Sequence, residues 1–357
     1  MRIAAVGGVA GGVQRGVNMR FGLVYSIEGG AGDRADQVFR DALEEILLAE
    51  SFGLDSVFIS EHHFVPNGFF PSPLIALSYL AAKTSKVKFG PGVLLLPLYD
   101  PIHVAEDCAV LDIISNGRLI LGVGQGYRPE EFNSFGIELR HRPGMLREGV
   151  NLIRRLWTEP EVTFHGEHFN AEKLPLRPQP VQKPSPPIWI AAKKRKAVEL
   201  AGEVGDGWFA DPITPLSIIR DNRPYWEQAA RKAGRDPRQQ GFAYYREFLV
   251  ADDDATAWRL GREPMMEAYR NYLRWGHLVD DEGRTIPPEN EGILESLVRK
   301  RFTLGGPARC LEEIQMLRET LGISDLIMKM KFPGLAHPDV MKSIKLFGEK
   351  VKPGAGL

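Results

Sequence analysis

Three side chains capable of acid–base chemistry stand together at the end of a short apolar segment. Residues 56–64 read SVFISEHHF, so Glu61, His62 and His63 follow a run typical of a buried strand. A carboxylate and imidazoles are costly to bury without partners. One imidazole whose tautomer is fixed by Glu61 would make a general acid or base, and we expect Glu61 to be part of a catalytic pair.

A metal site is the competing interpretation of the same segment, since carboxylate and imidazole are common metal ligands. Adjacent residues of an extended chain point to opposite faces, however, so His62 and His63 are badly placed to converge on one ion. No third ligand stands in an obvious position. We therefore expect no metal site.

Glycines interrupt two further apolar runs. The stretch KFGPGVLLLP (88–97) carries two glycines and a proline where a strand should be smooth, which permits a bulge or the close approach of a flat ligand. The stretch LGVGQGYRPEEF (121–132) ends a strand in Gly122, Gly124 and Gly126, and the backbone N–H groups of such a loop suit a phosphate. A simple bulge and an ordinary loop are the alternatives.

A run of cations follows a strand of small residues at 189–196, WIAAKKRK. Ala191 and Ala192 close the strand, and Lys193, Lys194, Arg195 and Lys196 then crowd the start of a helix. Cations at this end oppose the helix dipole and one another, which makes sense where an anion is bound. A solvated charge run is the alternative. Together, the imidazole, the glycine loops and the basic helix start indicate a pocket for a flat, phosphorylated cofactor.

Alternating strands and helices must position these residues. The apolar runs predict eight strands, at 20–26, 56–60, 86–96, 117–124, 188–192, 206–210, 242–250 and 325–330. Amphipathic helices are predicted at 36–53, 73–84, 102–115, 145–157, 194–204, 215–233, 253 to about 300, 307–321 and 338–348. A Pro-rich surface strap occupies 174–187. Eight βα units predict an α/β fold, a closed parallel (β/α)8 barrel with its chemistry at the strand ends.

Composition excludes several classes of function. The 357 residues carry a net charge of −1, so nothing indicates nucleic-acid binding, and no run approaches the length of a membrane span. Cys108 and Cys310 have no metal-ligand spacing and predict free thiols in a reducing, cytoplasmic compartment. Residues 1–18 contain VGGVAGG, which imitates a dinucleotide loop but leaves no room for the helix that must follow.

We therefore expect residues 1–18 to be a disordered leader or an overlong start. Residues 19–357 are expected to form one barrel domain with a helical insertion around 253–305. Aromatic side chains that could line a pocket at the barrel mouth are Phe69, Phe70, Tyr99, Tyr127 and Trp208. Those of the insertion, which could form a lid or a subunit contact, are Trp258, Tyr269, Tyr272 and Trp275.

From Met19 onward, the sequence resembles the bacterial luciferase-like flavin-dependent monooxygenases and oxidoreductases. The segments that carry the resemblance are EHHF (61–64), GPGVLLLPLYDPIHVAEDCAVLDIISNGRLILGVGQGYRPEEFNSFGI (90–137), PPIWIAA (186–192), AGEVGDGWF (201–209) and KMKFPGL (329–335). The resemblance implies a (β/α)8 barrel with insertions that binds reduced FMN at its C-terminal mouth. It also implies a homodimer or a related heterodimer.

The resemblance assigns roles by position. His62 matches the family's catalytic imidazole, and Gly92–Val93 matches a cis peptide beneath the flavin ring. Gly124 replaces a reactive but dispensable cysteine of luciferase, and Gln125 replaces a phosphate-binding arginine. The cofactor-binding set that follows is Gly92, Val93, Gly124, Gln125, Gly126, Tyr127, Ala191, Ala192, Lys193, Lys194 and Arg195.

Two cofactors are compatible with this resemblance. EHHF favours FMN, whereas Lys193 and Lys194 replace an acidic residue and a serine, and IAA before the phosphate helix also occurs in a branch that uses the deazaflavin F420. The leading hypothesis is a monooxygenase that takes reduced FMN from a separate NAD(P)H:flavin reductase and uses O2 to oxygenate a small organic substrate. The alternatives are an F420-dependent hydride-transfer oxidoreductase and a non-catalytic flavin-binding relative.

Overall fold

The computed structural model describes residues 19–29, 32–65 and 69–355. The predicted leader and its glycine-rich stretch, residues 1–18, lie outside the described residues. Within the described ranges the strands are β1 (Arg20–Tyr25), β2 (Ser56–Ile59), β3 (Lys88–Pro91), β4 (Leu94–Leu95), β5 (Leu121–Gly124), β6 (Val162–His165), β7 (Asn170–Leu174), β8 (Ile188–Ala191), β9 (Gly207–Ala210), β10 (Gly241–Val250), β11 (Thr303–Gly305) and β12 (Asp325–Lys329).

The described helices alternate with these strands. They are α1 (Ala35–Ser51), α2 (Pro73–Lys83), α3 (Pro101–Ile114), α4 (Pro129–Ser134), α5 (Arg142–Thr158), α6 (Arg195–Val204), α7 (Leu216–Lys232), α8 (Asp254–Arg274), α9 (Leu294–Arg301), α10 (Pro307–Leu321), α11 (His337–Leu346) and α12 (Lys352–Ala355). Short 3-10 turns lie at Leu96–Leu98, Leu139–His141 and Glu291–Ile293, and a π-helical turn at Phe347–Val351. None of the described helices is long and apolar enough to cross a bilayer.

The main sheet is parallel and nearly closed. Its strand order is β3-β2-β1-β12-β10-β9-β8-β5-β4, and β11 pairs with β10. The third predicted strand is split at Gly92–Val93: its first half, β3, pairs with β2, and its second half, β4, pairs with β5. The two halves therefore join opposite ends of the sheet. The predicted barrel of eight strand positions is confirmed.

Alternation along the strands sorts side chains between two cores. Side chains of one parity fill the barrel interior, and the buried ones are Val24, Phe58, Ile120, Trp189, Phe209, Ala243 and Ile327. Those of the other parity pack against the surrounding helices in a larger cluster. Two glycines let β3 and β5 approach each other closely. A Cβ at Gly90 would overlap the carbonyl of Ile120, and a Cβ at Gly122 would overlap the carbonyl of Pro91.

The structure differs from the sequence prediction in two further places. The helix predicted from 253 to about 300 is two helices, α8 and α9, because Gly276 and Gly283 take positive φ angles in the connection and two prolines follow. An antiparallel hairpin, β6–β7, precedes the Pro-rich strap and was not predicted. Its strands are short and polar, so they lack an apolar pattern. Cys108 and Cys310 are free and buried, as predicted.

Candidate functional site

The segment after β2 turns its side chains to alternate sides of an extended chain. Glu61 and His63 share one side, and His63 Nε2 lies 2.6 Å from Glu61 Oε1. The Tyr99 hydroxyl donates to the same oxygen at 2.6 Å, and the Leu95 N–H donates to Glu61 Oε2 at 2.8 Å. Glu61 is buried. It therefore braces the segment against the end of the split third strand.

The prediction that Glu61 fixes the tautomer of His62 is wrong. Adjacent side chains of an extended segment diverge, so Glu61 reaches His63 rather than its neighbour. The partner of His62 is Glu131, whose Oε1 lies 2.9 Å from His62 Nδ1. The sequence alone assigned no role to Glu131, which follows the glycine loop of β5.

Glu131 Oε1 accepts hydrogen bonds from several groups. The His63 N–H donates at 3.1 Å and an Arg128 guanidinium nitrogen at 3.2 Å, and the same Arg128 nitrogen donates to the His63 carbonyl at 2.8 Å. Burial alone would raise the pKa of Glu131, but the hydrogen bond from His62, the His63 N–H and the charge of Arg128 outweigh it and lower that pKa. An ionised Glu131 accepts a hydrogen bond from His62 Nδ1–H, so Nε2 is the nitrogen left for chemistry.

Aromatic rings surround His62. The centroid distances from its ring are 5.0 Å to Phe69, 5.8 Å to Tyr127 and 5.3 Å to Trp275. The Arg128 guanidinium lies 4.9 Å from the Trp275 ring centroid. Phe69 and Tyr127, two of the predicted wall residues, thus lie beside His62, and Trp275 of the connection after α8 joins them. A half-buried imidazole in such a shell is shielded from bulk water.

The connection after α8 also covers the second glycine loop. The rings of His277 and Tyr127 stack at 3.8 Å with only 5° between their planes. Burial lowers the pKa of His277 to about 3, with the charges of Lys193, His62 and Lys194 acting in the same direction, so its ring is neutral near pH 7. The Tyr127 hydroxyl is buried without a hydrogen-bond partner among the described residues. It is therefore a polar atom available to a ligand.

The predicted cofactor residues between β3 and β4 and those at the end of β5 lie side by side. The peptide between Gly92 and Val93 is cis, as the resemblance implied. A Cβ at Gly124 would lie 2.7 Å from the Val93 side chain and 3.6 Å from the Cβ of Ala191. Gly126 has a φ of 68°, which favours glycine, and a Cβ there would meet the Phe132 ring. Gln125 lies between these two glycines, half-buried.

The basic helix start is placed as the sequence indicated, but its cations have different surroundings. Lys193 Nζ donates to the His277 carbonyl at 3.0 Å, and burial lowers its pKa although Asp211 opposes the shift. Arg195 pairs with Glu199 at 3.0 Å, and Lys194 is exposed. Helix α6 has no side-chain cap at its first residues, so its N–H groups are open to an anion.

Two predicted wall residues lie elsewhere. Trp208 points away from the mouth into the outer core, where its ring stacks on Phe242 at 4.7 Å and its Nε1–H donates to the Ala192 carbonyl. Phe70 stacks on Phe39 at 5.5 Å. Side chains of β9 point alternately into the barrel and toward the helices, and Trp208 is one of those that point toward the helices. The sequence alone does not reveal which of the two alternating sets of β9 points inward.

Charged groups inside the barrel mouth were not predicted. Lys329 Nζ donates to Ser26 Oγ at 2.9 Å and to Glu28 Oε1 at 2.6 Å, and Glu247 lies opposite Lys329 in the register of β10 and β12. Both Lys329 and Glu247 are buried, and Glu247 Oε2 has no hydrogen-bond partner among the described residues. A charge at an inward position of an apolar strand is the signal that identifies them.

Glu247 gives the protein a pH-dependent stability. Burial raises its pKa from 4.5 to about 7, so between these values the folded state binds more protons than the unfolded state. Stability therefore falls as pH rises through this window. Glutamine has no such proton to lose, so the free energy of unfolding of Glu247→Gln, relative to that of the wild type, should rise by on the order of 3 kcal/mol between pH 4 and pH 8. Urea unfolding at a series of pH values measures this difference. Glu312→Gln, at an exposed position of α10, is the control; equal curves for both variants would contradict the assignment.

The chain is similar to known luciferase-like monooxygenases. A family profile described as luciferase-like monooxygenase matches residues 19–324. The oxygenase component of the flavin-dependent trigonelline monooxygenase of Acinetobacter baylyi is 29% identical over 262 residues, which is 71% of this chain and 71% of that protein. The crystal structure of monooxygenase RslO1 from Streptomyces bottropensis superposes with a TM-score of 0.84 at 26% identity, covering 94% of this chain and 99% of that one.

A different cofactor appears among the other relatives. The F420-dependent glucose-6-phosphate dehydrogenase of Kineococcus radiotolerans is 42% identical over 200 residues, which is 54% of this chain and 58% of that protein. These relatives are named as monooxygenases or as a dehydrogenase, so the oxidoreductase class is common to them, whereas one is named as flavin-dependent and another as F420-dependent.

Proposed function

Because the chain belongs to the luciferase-like monooxygenase family, we propose that it is a flavin-dependent monooxygenase that uses reduced FMN and O2 to oxygenate a small organic substrate. The observation that carries the proposal is the pair formed by His62 and the buried Glu131 at the mouth of the barrel. Such a pair holds an imidazole in one tautomer with one nitrogen turned to the reaction. The surrounding aromatic rings exclude water from it.

The residues at the mouth fit a flavin mononucleotide. The unpartnered Tyr127 hydroxyl offers a polar contact, and the uncapped start of α6 with the exposed Lys194 offers an anion site for a phosphate. Reduced FMN would supply the electrons that activate O2. Gly92, Val93 and Trp275 would hold the ring, and His62 Nε2 would hold or deliver a proton.

Partners are proposed on the same basis. We infer a separate NAD(P)H:flavin reductase, since the trigonelline relative is named as an oxygenase component. A homodimer is proposed as the assembly from the family resemblance alone. The substrate is a small organic molecule, and the free buried thiols support a cytoplasmic location. No nucleic acid or membrane partner is part of the proposal.

One observation favours a second function, F420-dependent hydride transfer. Gln125 offers no charge to a phosphate, and Lys193 is engaged by the His277 carbonyl. The phosphate site thus differs from that implied for an FMN enzyme, and the F420-dependent dehydrogenase shares 42% identity over its matching segment. In that case His62 would protonate a reduced substrate without consumption of O2.

The two functions are separated by anaerobic binding followed by exposure to oxygen. We expect reduced FMN to bind at least about tenfold more tightly than reduced F420, a difference of about 1.4 kcal/mol. Mixing the complex with O2 should give oxygenated product from a member of a panel of small organic compounds that begins with trigonelline; product is the readout because reduced FMN also reacts with O2 when no substrate is present. Tight binding of F420 with no oxygenated product would reject the monooxygenase and establish hydride transfer.

A matched pair of lysine variants tests the phosphate contact. Lys194 and Lys196 are both exposed and lie within one turn of the start of α6. Lys194→Ala should weaken binding of FMN more than binding of riboflavin, which has no phosphate, and the difference should shrink at high salt. Lys196→Ala should leave the ratio of the two affinities unchanged. An equal loss for both ligands would remove Lys194 from the phosphate site.

A further inference from the structure

A second group of metal-ligating side chains lies where the β6–β7 hairpin meets the start of α5. It consists of His141, Glu167 and His168, and one ligand atom of each lies within 4.8 Å of those of the other two. Across the described ranges, it is the only such group of three histidine, cysteine or acidic residues. Glu167 and His168 are adjacent, but His141 precedes Glu167 by 26 residues, so no short ligand spacing revealed the group.

The unpredicted hairpin creates this juxtaposition. His141 ends the 3-10 turn before α5, while Glu167 and His168 lie at the tip between β6 and β7. Glu148 of α5 accepts hydrogen bonds from the N–H groups of Glu167 at 2.9 Å, His168 at 2.9 Å and Phe169 at 3.2 Å. Three bonds to one carboxylate fix the tip against the first turns of α5.

Gly144 sets the position of the second imidazole. A Cβ at Gly144 would lie 2.5 Å from His168 Nε2 and 3.1 Å from its Cδ2, so the ring lies directly on the first turn of α5. The His168 and His141 rings are 5.3 Å apart between centroids, at 69°. Both are half-buried, whereas Glu167 is exposed and has room to change rotamer. Two imidazoles are therefore held in place beside one adjustable carboxylate.

We propose that His141, Glu167 and His168 form a binding site for a divalent transition metal, with Zn²⁺ as the ion that this ligand set suits best. Two imidazole nitrogens and one carboxylate oxygen, with a water as fourth ligand, make a tetrahedral zinc site. Zinc ligands in that geometry lie about 3.3–3.4 Å apart, given metal–ligand bonds of about 2.0–2.1 Å. The three ligand atoms lie within 4.8 Å of one another, so binding would require small side-chain rotations of Glu167 and of the imidazoles to reach this spacing.

The bound ion joins the hairpin tip to the start of α5. It adds a link between His141 and His168, so it stabilises the β6–β7 hairpin. The proposal goes beyond the proposed function and does not depend on it.

Cobalt titration of the full, untagged chain tests the site. After treatment with a chelator, Co²⁺ should bind at one equivalent with the strong visible absorbance of a tetrahedral complex, and Zn²⁺ should displace it. His141→Ala and His168→Ala should each weaken binding by at least about tenfold. His165→Ala is the matched control, because His165 is an exposed histidine of the same hairpin that lies 3.6 Å from Glu172.

A further variant keeps all three ligands and changes only their geometry. Gly144→Ala displaces His168 and should weaken Co²⁺ binding as well, while circular dichroism confirms that each metal-free variant is folded. The proposal is overturned if no tetrahedral absorbance develops, if His165→Ala weakens binding as much as His141→Ala, or if binding survives both ligand substitutions and so belongs to other residues.

Discussion

Replacing His62 with Gln is expected to lower turnover by about 10²–10⁴-fold, the range that one positioned acid–base group contributes. Glutamine keeps a hydrogen bond to Glu131 and much of the volume among Phe69 and Trp275, but it cannot hold and release a proton near pH 7. Because the loss falls on the reaction step, kcat and kcat/KM should fall together while the Kd of reduced FMN changes little. Single-turnover kinetics with saturating reduced FMN make the measurement.

The matched control is His63→Gln. His63 contacts Glu61 at 2.6 Å and lies on the opposite side of the segment, so its loss should affect stability more than turnover. Glu131→Gln should give an intermediate loss of about 10–100-fold, as for other groups that orient a functional imidazole. If His62→Gln retains full turnover, or if His63→Gln loses more, the acid–base assignment of His62 is wrong.

Replacing Gly90 with Ala is expected to lower the free energy of unfolding by at least about 3 kcal/mol, at the upper end for overpacking in a core. The added methyl group would overlap the Ile120 carbonyl, and backbone atoms cannot move aside as a side-chain terminus can. The third strand would then separate from the segment before β5, where the sheet closes. Urea unfolding followed by circular dichroism measures the change.

Gly292→Ala serves as the control. Gly292 has no atom within 4 Å of the position of an added Cβ, so its substitution should change stability by no more than about 0.5 kcal/mol. Comparable stability of Gly90→Ala and Gly292→Ala would show that the two strands separate without cost, contrary to the closed barrel.

The alternation of apolar runs and amphipathic helices predicted the barrel because each βα unit carries its own periodicity. It did not predict β6–β7, whose polar strands bury little, or the break between α8 and α9, where Gly276 and Gly283 stop the helix. The strand split at Gly92–Val93 was visible only as unusual glycines and through the resemblance.

The candidate site was partly accessible to the same reasoning. The alternation rule that separated His62 from His63 also separates Glu61 from His62, and applying it fully would have excluded the Glu61 pairing. Glu131 and Trp275 reach His62 from distant segments, and no periodicity encodes such contacts. Buried charges such as Lys329 stand out only after the inward face of each strand is known.

The hydrogen bonds around Glu131 have a consequence for how the mouth responds to a ligand. Arg128 donates to Glu131 and lies over the Trp275 ring, so one side chain joins the aromatic cover to the acid–base pair. A ligand that displaces Trp275 changes the charge environment of Glu131 and hence of His62. Binding of such a ligand and binding of a proton to this pair are therefore thermodynamically linked. Ligand binding changes the proton affinity of the pair, and protonation changes the ligand affinity by the same factor.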